Sequence, residues 1–236
     1  IFHLSAIIMR KISNILLNCW FPRVCSACHR SLSAKEEGVC FYCQQYLHLT
    51  NHFLRKNNML YVQLGYRMNL HSVQSLYFFQ PKSIEQRAIH ELKYKKNMQV
   101  GHFFGREMGK RIATTRWLQD VDILVPIPIH SIKERERGYN QAQVLCEGIS
   151  DETHLPILKI LKKQTSGKGA TKGNRMERMN SRKIDFQIGT PIPLSARHIL
   201  IVDDVITTGA TLESAFHILR NQFQGKISVV SIAHTF

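Results

Sequence analysis

The sequence predicts an α/β protein, a parallel sheet flanked by helices, with a small cysteine module ahead of it. Three stretches carry this prediction. Ile199 to Val202 is an unbroken apolar run that reads as a fully buried strand, followed by Asp203-Asp204, a Thr/Gly loop and Leu212, Ala215, Phe216, Leu219 and Phe223 at helical spacing. Asp122 to His130 is a second buried run, ended by Pro126 and Pro128, and a helix with Ala142, Leu145 and Ile149 on one face follows it. Cys25-Ser-Ala-Cys28 and Cys40-Phe-Tyr-Cys43 stand eleven residues apart near the start of the chain.

At 236 residues the chain has room for one large domain, or one domain and a small appendage. Its apolar fraction of 44% is that of a globular protein, and its net charge of +15 favours polyanionic partners. No window of about 18 apolar residues occurs, so no membrane span is expected. The charges Arg10 and Lys11 follow the apolar start instead of preceding it, unlike a secretory signal. Met9 reads as a natural start, and residues 1–8 are expected to precede it. Six cysteines, four of them at metal-type spacing, point to a reducing cytosol.

In chain order, residues 9–20 predict a short amphipathic helix. The two Cys-x-x-Cys hooks then offer Cys25, Cys28, Cys40 and Cys43 as a tetrahedral thiolate set for a structural Zn²⁺. His29 and His48 are close enough in sequence for a mixed-ligand alternative. The module is too small for a core of its own, so the metal would hold it together. The domain division expected is 9–47 for the helix and zinc module, 48–73 for a linker with a strand over Met59–Leu64, and 74–236 for the α/β domain. A strand over Ser75–Gln80 is followed by a capping box, Ser83 with Gln86, and by a helix with Ile84, Ala88, Ile89 and Leu92. A second helix over Val100–Thr114 carries Gly101, Gly105 and Gly109 four apart, as a close-packing seam. The last strand is Lys226–His234. From Asp122 on, the order is strand–helix–strand–strand–helix–strand with parallel crossovers, which places ligands at the C-terminal strand ends.

The chemistry concentrates between Asp203 and Thr211. Backbone N–H groups at a helix start, threonine hydroxyls and the helix dipole converge on one anion, and Gly209 admits a close approach. Asp203 and Asp204 repel that anion, but they can accept hydrogen bonds from sugar hydroxyls or hold Mg²⁺ through water. The stretch resembles the motif for 5-phosphoribosyl 1-pyrophosphate (PRPP) of type I phosphoribosyltransferases. The resemblance implies that Asp203 and Asp204 face the ribose and that Val205 and Thr207, Thr208, Gly209, Ala210 and Thr211 lie around the 5′-phosphate, with Mg²⁺ accompanying PRPP.

Pro126-Ile-Pro128-Ile-His130, then Arg135-Glu-Arg137-Gly138-Tyr139-Asn140-Gln141, narrow this to a resemblance to the ComF family, as does the order of zinc hooks first and PRPP motif last. It covers about residues 9–47 and 74–236, with Ser131 and Tyr139 as mild departures. It implies a type I phosphoribosyltransferase-like fold, a PRPP site that includes Pro128, His130, Arg137 and Asn140, and a role in DNA uptake during natural transformation. A cytoplasmic protein, at the inner face of the membrane and beside an uptake helicase or translocase, follows from the same resemblance.

Residues 159–183 hold nine cations against one acid, Glu177, between glycines. Three readings stay open there: a loop closing over pyrophosphate, a DNA-backbone contact through Lys162, Lys163, Lys172, Arg175 and Arg178, or a solvated loop. Tyr94, Phe103, Phe104, Trp117 and Tyr139 stand near cations and offer rings for stacking bases, against a plain core role. Two functions compete: a PRPP-binding protein that engages single-stranded DNA, which is preferred, and an active Mg²⁺-dependent phosphoribosyltransferase with a nitrogen acceptor. The catalytic residues of the second are not legible.

Overall fold

The computed structural model describes residues 22–163 and 186–235. The helix expected over 9–20, and Lys172, Arg175 and Arg178 of the basic window, lie outside the described residues. Four strands form one all-parallel sheet in the order β1-β6-β5-β2: β1 is Ser72–Phe78, β2 Ile123–Pro126, β5 His198–Ile206 and β6 Lys226–His234. A separate antiparallel pair, β3 (Leu161–Lys163) and β4 (Phe186–Ile188), stands apart from it.

The strands alternate between two cores with period two, as a sheet covered on both faces requires. Leu200 and Val202 of β5 and Val230 and Ile232 of β6 face one core. Ile199 and Ile201, with Ile227 and Val229, face the other. Each fully buried aliphatic side chain contributes about 1.5–3 kcal/mol.

Three helices cover the first face: α3 (Ile84–Tyr94), α4 (Met98–Thr114) and α6 (Gln141–Thr153). The capping box is present, with Ser83 Oγ accepting from the Gln86 N–H at 3.1 Å, while Gln86 reaches back to the Lys82 N–H at 2.6 Å. The glycine seam packs α4 on α6. A Cβ on Gly105 would sit 2.5 Å from the Leu145 carbonyl and 2.8 Å from Gly148 Cα, so neither helix tolerates a side chain there.

The second face is covered by α7 (Ala210–Arg220), by β3 and β4, and by residues 60–70. Met59–Leu64, expected as a strand, is helical: a π turn over Tyr61–Gly65 runs into a short helix, α2 (Tyr66–Met68). The reason is packing, since Leu60, Leu64 and Met68 fall four apart and bury one face against the sheet. The chain between 48 and 72 is therefore part of the core, and Asn58 fixes it by donating to the Val73 carbonyl at 2.8 Å. A further short helix, α5 (Ser131–Arg137), precedes α6 and ends at Gly138.

The cysteine module lies against α4. Its single helical turn, α1 (Phe41–Gln44), carries Cys43 inward, and Cys25, Ala27, Val39 and Cys40 join the first core beside Val100 and Phe103. Asn97 donates to Ser26 Oγ at 3.0 Å, and Arg106 pairs with Glu37. Among the described residues no helix is long and apolar enough to cross a membrane.

Candidate functional site

Parallel pairing of β2 with β5, Pro126 opposite Val202, brings the residues after both strands to one end of the sheet. Pro128 and His130 thus share the C-terminal edge with Asp203–Thr211. Gly209 takes φ +77°, a left-handed conformation that admits glycine freely, and it turns the chain into α7. The loop is braced from the region expected as a linker: a Cβ on Gly209 would lie 2.7 Å from Leu64 and 3.4 Å from an Arg67 guanidinium nitrogen. Arg67 also pairs with Glu213 in the first turn of α7 at 3.3 Å.

The acidic pair has cations on it. Lys93, at the end of α3, reaches Asp204 at 3.1 Å. Burial and the neighbouring Asp204 push the Asp203 carboxyl up to about 7, opposed by the Asp204 N–H, Lys93 and Lys163. Asp203 accepts that N–H at 2.8 Å. Lys163, expected on DNA, is close enough for its charge to act on Asp203, and burial together with Lys133 lowers its own pKa. Nothing in the sequence marks Lys93 or Arg67 as site residues, because their partners, Asp204 and Glu213, lie far along the chain.

Asn140 caps α6, accepting from the Ala142 N–H at 3.0 Å and donating to the Ile127 carbonyl at 3.0 Å. It ties the helix start to the loop after β2. Arg137 donates to Gln141 at 2.8 Å and lies 5.5 Å over the exposed Tyr94 ring. His130 Nδ1 accepts from the Ile132 N–H at 3.3 Å. Phe103 and Phe104 are buried and belong to the core. Lys159, Lys162 and Lys163 line an open groove of about 720 Å³ with Pro128, Glu134 and Gln187.

In the cysteine module, the four sulfurs of Cys25, Cys28, Cys40 and Cys43 lie within 4.8 Å of one another, close enough to hold one metal ion. Backbone N–H groups aim at them: Cys40 donates to Cys25 Sγ at 3.3 Å, Ala27 to Cys25 at 3.5 Å and Cys43 to Cys40 at 3.5 Å. Burial raises the Cys25 thiol, but these N–H groups outweigh it and bring it down to about 7. Burial pushes Cys40 and Cys43 up. A divalent cation at the centre supplies the charge that keeps all four ionised, so the donor set fits a metal. Among the described residues neither His29 nor His48 joins the cluster of ligand atoms, which the four cysteines make alone. Glu36 braces the loop between the hooks, accepting from the Ser33 N–H at 2.8 Å and the Phe41 N–H at 2.7 Å.

A parallel sheet flanked by helices, a Thr/Gly loop leading into a helix at its C-terminal edge and a four-cysteine module define an α/β protein with a candidate anion-binding loop. No family model matches the chain. It is 30% identical over 137 residues to DNA utilization protein YhgH of Escherichia coli (strain K12), covering 56% of this chain and 60% of that protein. It is 34% identical over 109 residues to competence protein ComFC of Bacillus subtilis (strain 168), covering 46% of this chain and 42% of that protein. The chain thus aligns with about half the length of these relatives. A glutamine PRPP amidotransferase from B. subtilis aligns at a TM-score of 0.40 and 17% identity, over 60% of this chain and 30% of that one. At that level the alignment adds nothing to the topology. The sequence matches are to ComF-type proteins, and the chain is their homologue.

Proposed function

We propose that the chain binds PRPP with Mg²⁺ at the end of β5 and serves the handling of single-stranded DNA during uptake. One observation carries the first half: a buried strand carries two carboxylates near its end, before the Thr/Gly loop, and that loop enters an 11-residue helix with Arg67, Lys93 and Lys163 around it. The helix start and the threonines suit a 5′-phosphate, the carboxylates suit ribose hydroxyls and hydrated Mg²⁺, and the lysines suit pyrophosphate. Pro128, His130, Arg137 and Asn140 frame the opposite wall. The second half rests on the printed names of the relatives, competence and DNA utilization, and on the basic balance of the chain. Lys162, with the window that follows it, then contacts the DNA backbone. The four cysteines hold a structural Zn²⁺, four sulfurs being its closed tetrahedral set. An uptake helicase or translocase, met at the inner face of the membrane, belongs to the same reading.

The second reading, an active phosphoribosyltransferase, is favoured by the groove of about 720 Å³ beside Pro128 and Lys163, which has room for an acceptor. Calorimetry with Mg²⁺ and PRPP tests the site, with ribose 5-phosphate expected to bind more weakly. Absence of PRPP binding refutes it. Pyrophosphate release in the presence of PRPP and a panel of nitrogen bases decides for the enzyme.

A further inference from the structure

The N-terminal ends of the strands carry a second polar assembly. His198, buried at the start of β5, lies 2.8 Å from Asp120 through Nδ1 and 2.8 Å from Ser228 Oγ through Nε2. Ser228 Oγ is in turn 2.9 Å from Ser72 Oγ. An acid–histidine–serine chain is also the geometry of a hydrolytic triad. Ser228, however, is 0% exposed in mid-sheet, so no substrate reaches its oxygen. The chain fixes the starts of β1, β5 and β6.

On the solvent side of this anchor lies an open groove of about 480 Å³, walled by Lys56, Tyr61, His71, Arg197, Arg220 and Lys226 among others. It has no acid among its lining residues. The carboxylate behind it, Asp120, is occupied by Lys226 at 2.5 Å as well as by His198. Lys56 and Lys226 crowd each other, the charge of Lys226 depressing Lys56 further after burial, while His71, 3.4 Å from Lys56 Nζ, is neutral near pH 7 because burial and then Lys56 bring it down to about 4. Such a cluster is relieved by an anion from outside. An aromatic face adjoins it, since Tyr61 packs 5.1 Å from Tyr66, whose side chain is 65% exposed.

We propose that this groove binds a segment of single-stranded nucleic acid, with Lys56 and Arg197 on its phosphates and the Tyr61–Tyr66 pair stacked on a base. The proposal rests on the DNA half of the function above and adds to the contact through Lys162 a second one at the other end of the sheet. Cations alone suit any phosphate, but cations beside an exposed ring pair suit a strand, whose bases have faces to stack. The groove sits at the opposite end of the sheet from the Thr/Gly loop, so a strand held here leaves the PRPP site open.

The test is fluorescence anisotropy of a labelled oligothymidylate on the full chain across a salt series. Each phosphate contact to a single strand contributes about −0.7 to the slope of log affinity against log salt. Lys56→Gln with Arg197→Gln is expected to make that slope shallower by up to about 1.4. Tyr66→Ala is expected to weaken binding about tenfold at constant slope, as loss of one stacked base does. Thermal melting confirms that the variants fold. Wild-type binding with unchanged slope and affinity in both variants overturns the groove and leaves the DNA reading standing. No wild-type binding overturns both. Displacement of the strand by inorganic phosphate or a mononucleotide at equal phosphate concentration shows a general anion site, and also overturns the proposal.

Discussion

At the C-terminal end of the sheet two carboxylates stand side by side with lysines reaching over them. At the N-terminal end Asp120 stands among cations, while Asp122 accepts the Arg197 and His198 N–H groups. The same side chain therefore behaves in opposite ways. Asp203 is pushed up to about 7 by burial and by Asp204. Burial also works against the charge of Asp120, but Lys226 and His198 outweigh it and hold that carboxyl at about 2. An end where two acids sit together among lysines suits a ligand that brings its own cation, as PRPP does with Mg²⁺. An end with excess base accepts a bare polyanion. On the proposed function, one sheet separates two anionic ligands by the charge each requires of its site.

The largest effect expected concerns what this comparison takes for granted, that the α/β core and not the cysteine module holds the two ends. Cys28→Ser changes the exposed ligand, and metal analysis should show the bound ion fall from one per chain towards none. Hydrogen exchange should loosen residues 22–47 while β5 and β6 stay protected. Loss of protection in β5 and β6 as well would mean that the module supports the whole fold and that neither end can be judged alone.

Next in size is the acidic pair. Asp203→Asn with Asp204→Asn removes two charge-assisted contacts, each worth roughly 1.5–3 kcal/mol, and should weaken Mg²⁺–PRPP binding about 100-fold or more by calorimetry. In the wild type the affinity should fall as pH drops below about 7, because a proton then competes at Asp203. The stability effect has the other sign. The folded pKa of Asp203 lies above that of a free carboxylate, about 3.9, so its contribution is full below that value and lost as pH rises through about 7. Asp203→Asn alone should therefore raise the melting temperature at pH 8 and leave it nearly unchanged at pH 4. Equal melting shifts at both pH values would mean that Asp203 is not the strained acid.

Gly209→Val comes third. The position has φ +77°, where a side chain costs about 1–2 kcal/mol, and its Cβ would meet Leu64 at 2.7 Å. The melting temperature should drop by about 2–8 °C for a chain of this size. PRPP binding should weaken, while the salt slope for DNA stays as it was. A drop in both would mean that the two ends are mechanically coupled.

The two ends also differ in how they are written. Asp203 to Thr211 is contiguous, so strand, acids, loop and helix stand in one line and the site could be read from it, as could the four cysteines. The sheet strands were legible as apolar runs, and the seam as glycines four apart. The N-terminal groove draws Lys56, His71, Arg197 and Lys226 from separate segments, and only the parallel register of β1, β5 and β6 gathers them. Met59–Leu64 misled because a five-residue π turn shifts the helical register, leaving Val62 and Tyr66 outward among polar neighbours. Lys93 and Arg67 were invisible as site residues for the same reason as the groove: their partners are far away in sequence.

The smallest effect, and the sharpest for the comparison, is expected from Asp120→Asn. Its carboxyl is depressed from the ordinary value of 3.8 to about 2, so its stabilising contribution is present above about 4 and lost as pH falls towards 2. The side chain is 51% exposed, and solvent screening holds the contribution below about 1 kcal/mol. The melting temperature at pH 7 should fall by no more than about 2–4 °C, with the difference from wild type closing below pH 4. His198 stays neutral in the variant. Burial already lowers its pKa, and Asp120 was the group raising it. No new charge therefore appears in the core, but the groove loses its neighbouring acid and Lys226 loses its partner. Strand binding by anisotropy should then tighten, by about two- to fivefold at low salt, as one released cation turns to phosphate. At the other end, neutralising acids should weaken ligand binding; here it should strengthen it. Weaker strand binding in Asp120→Asn would mean that the acid orders the groove more than it opposes the ligand, and the contrast between the two ends would fail.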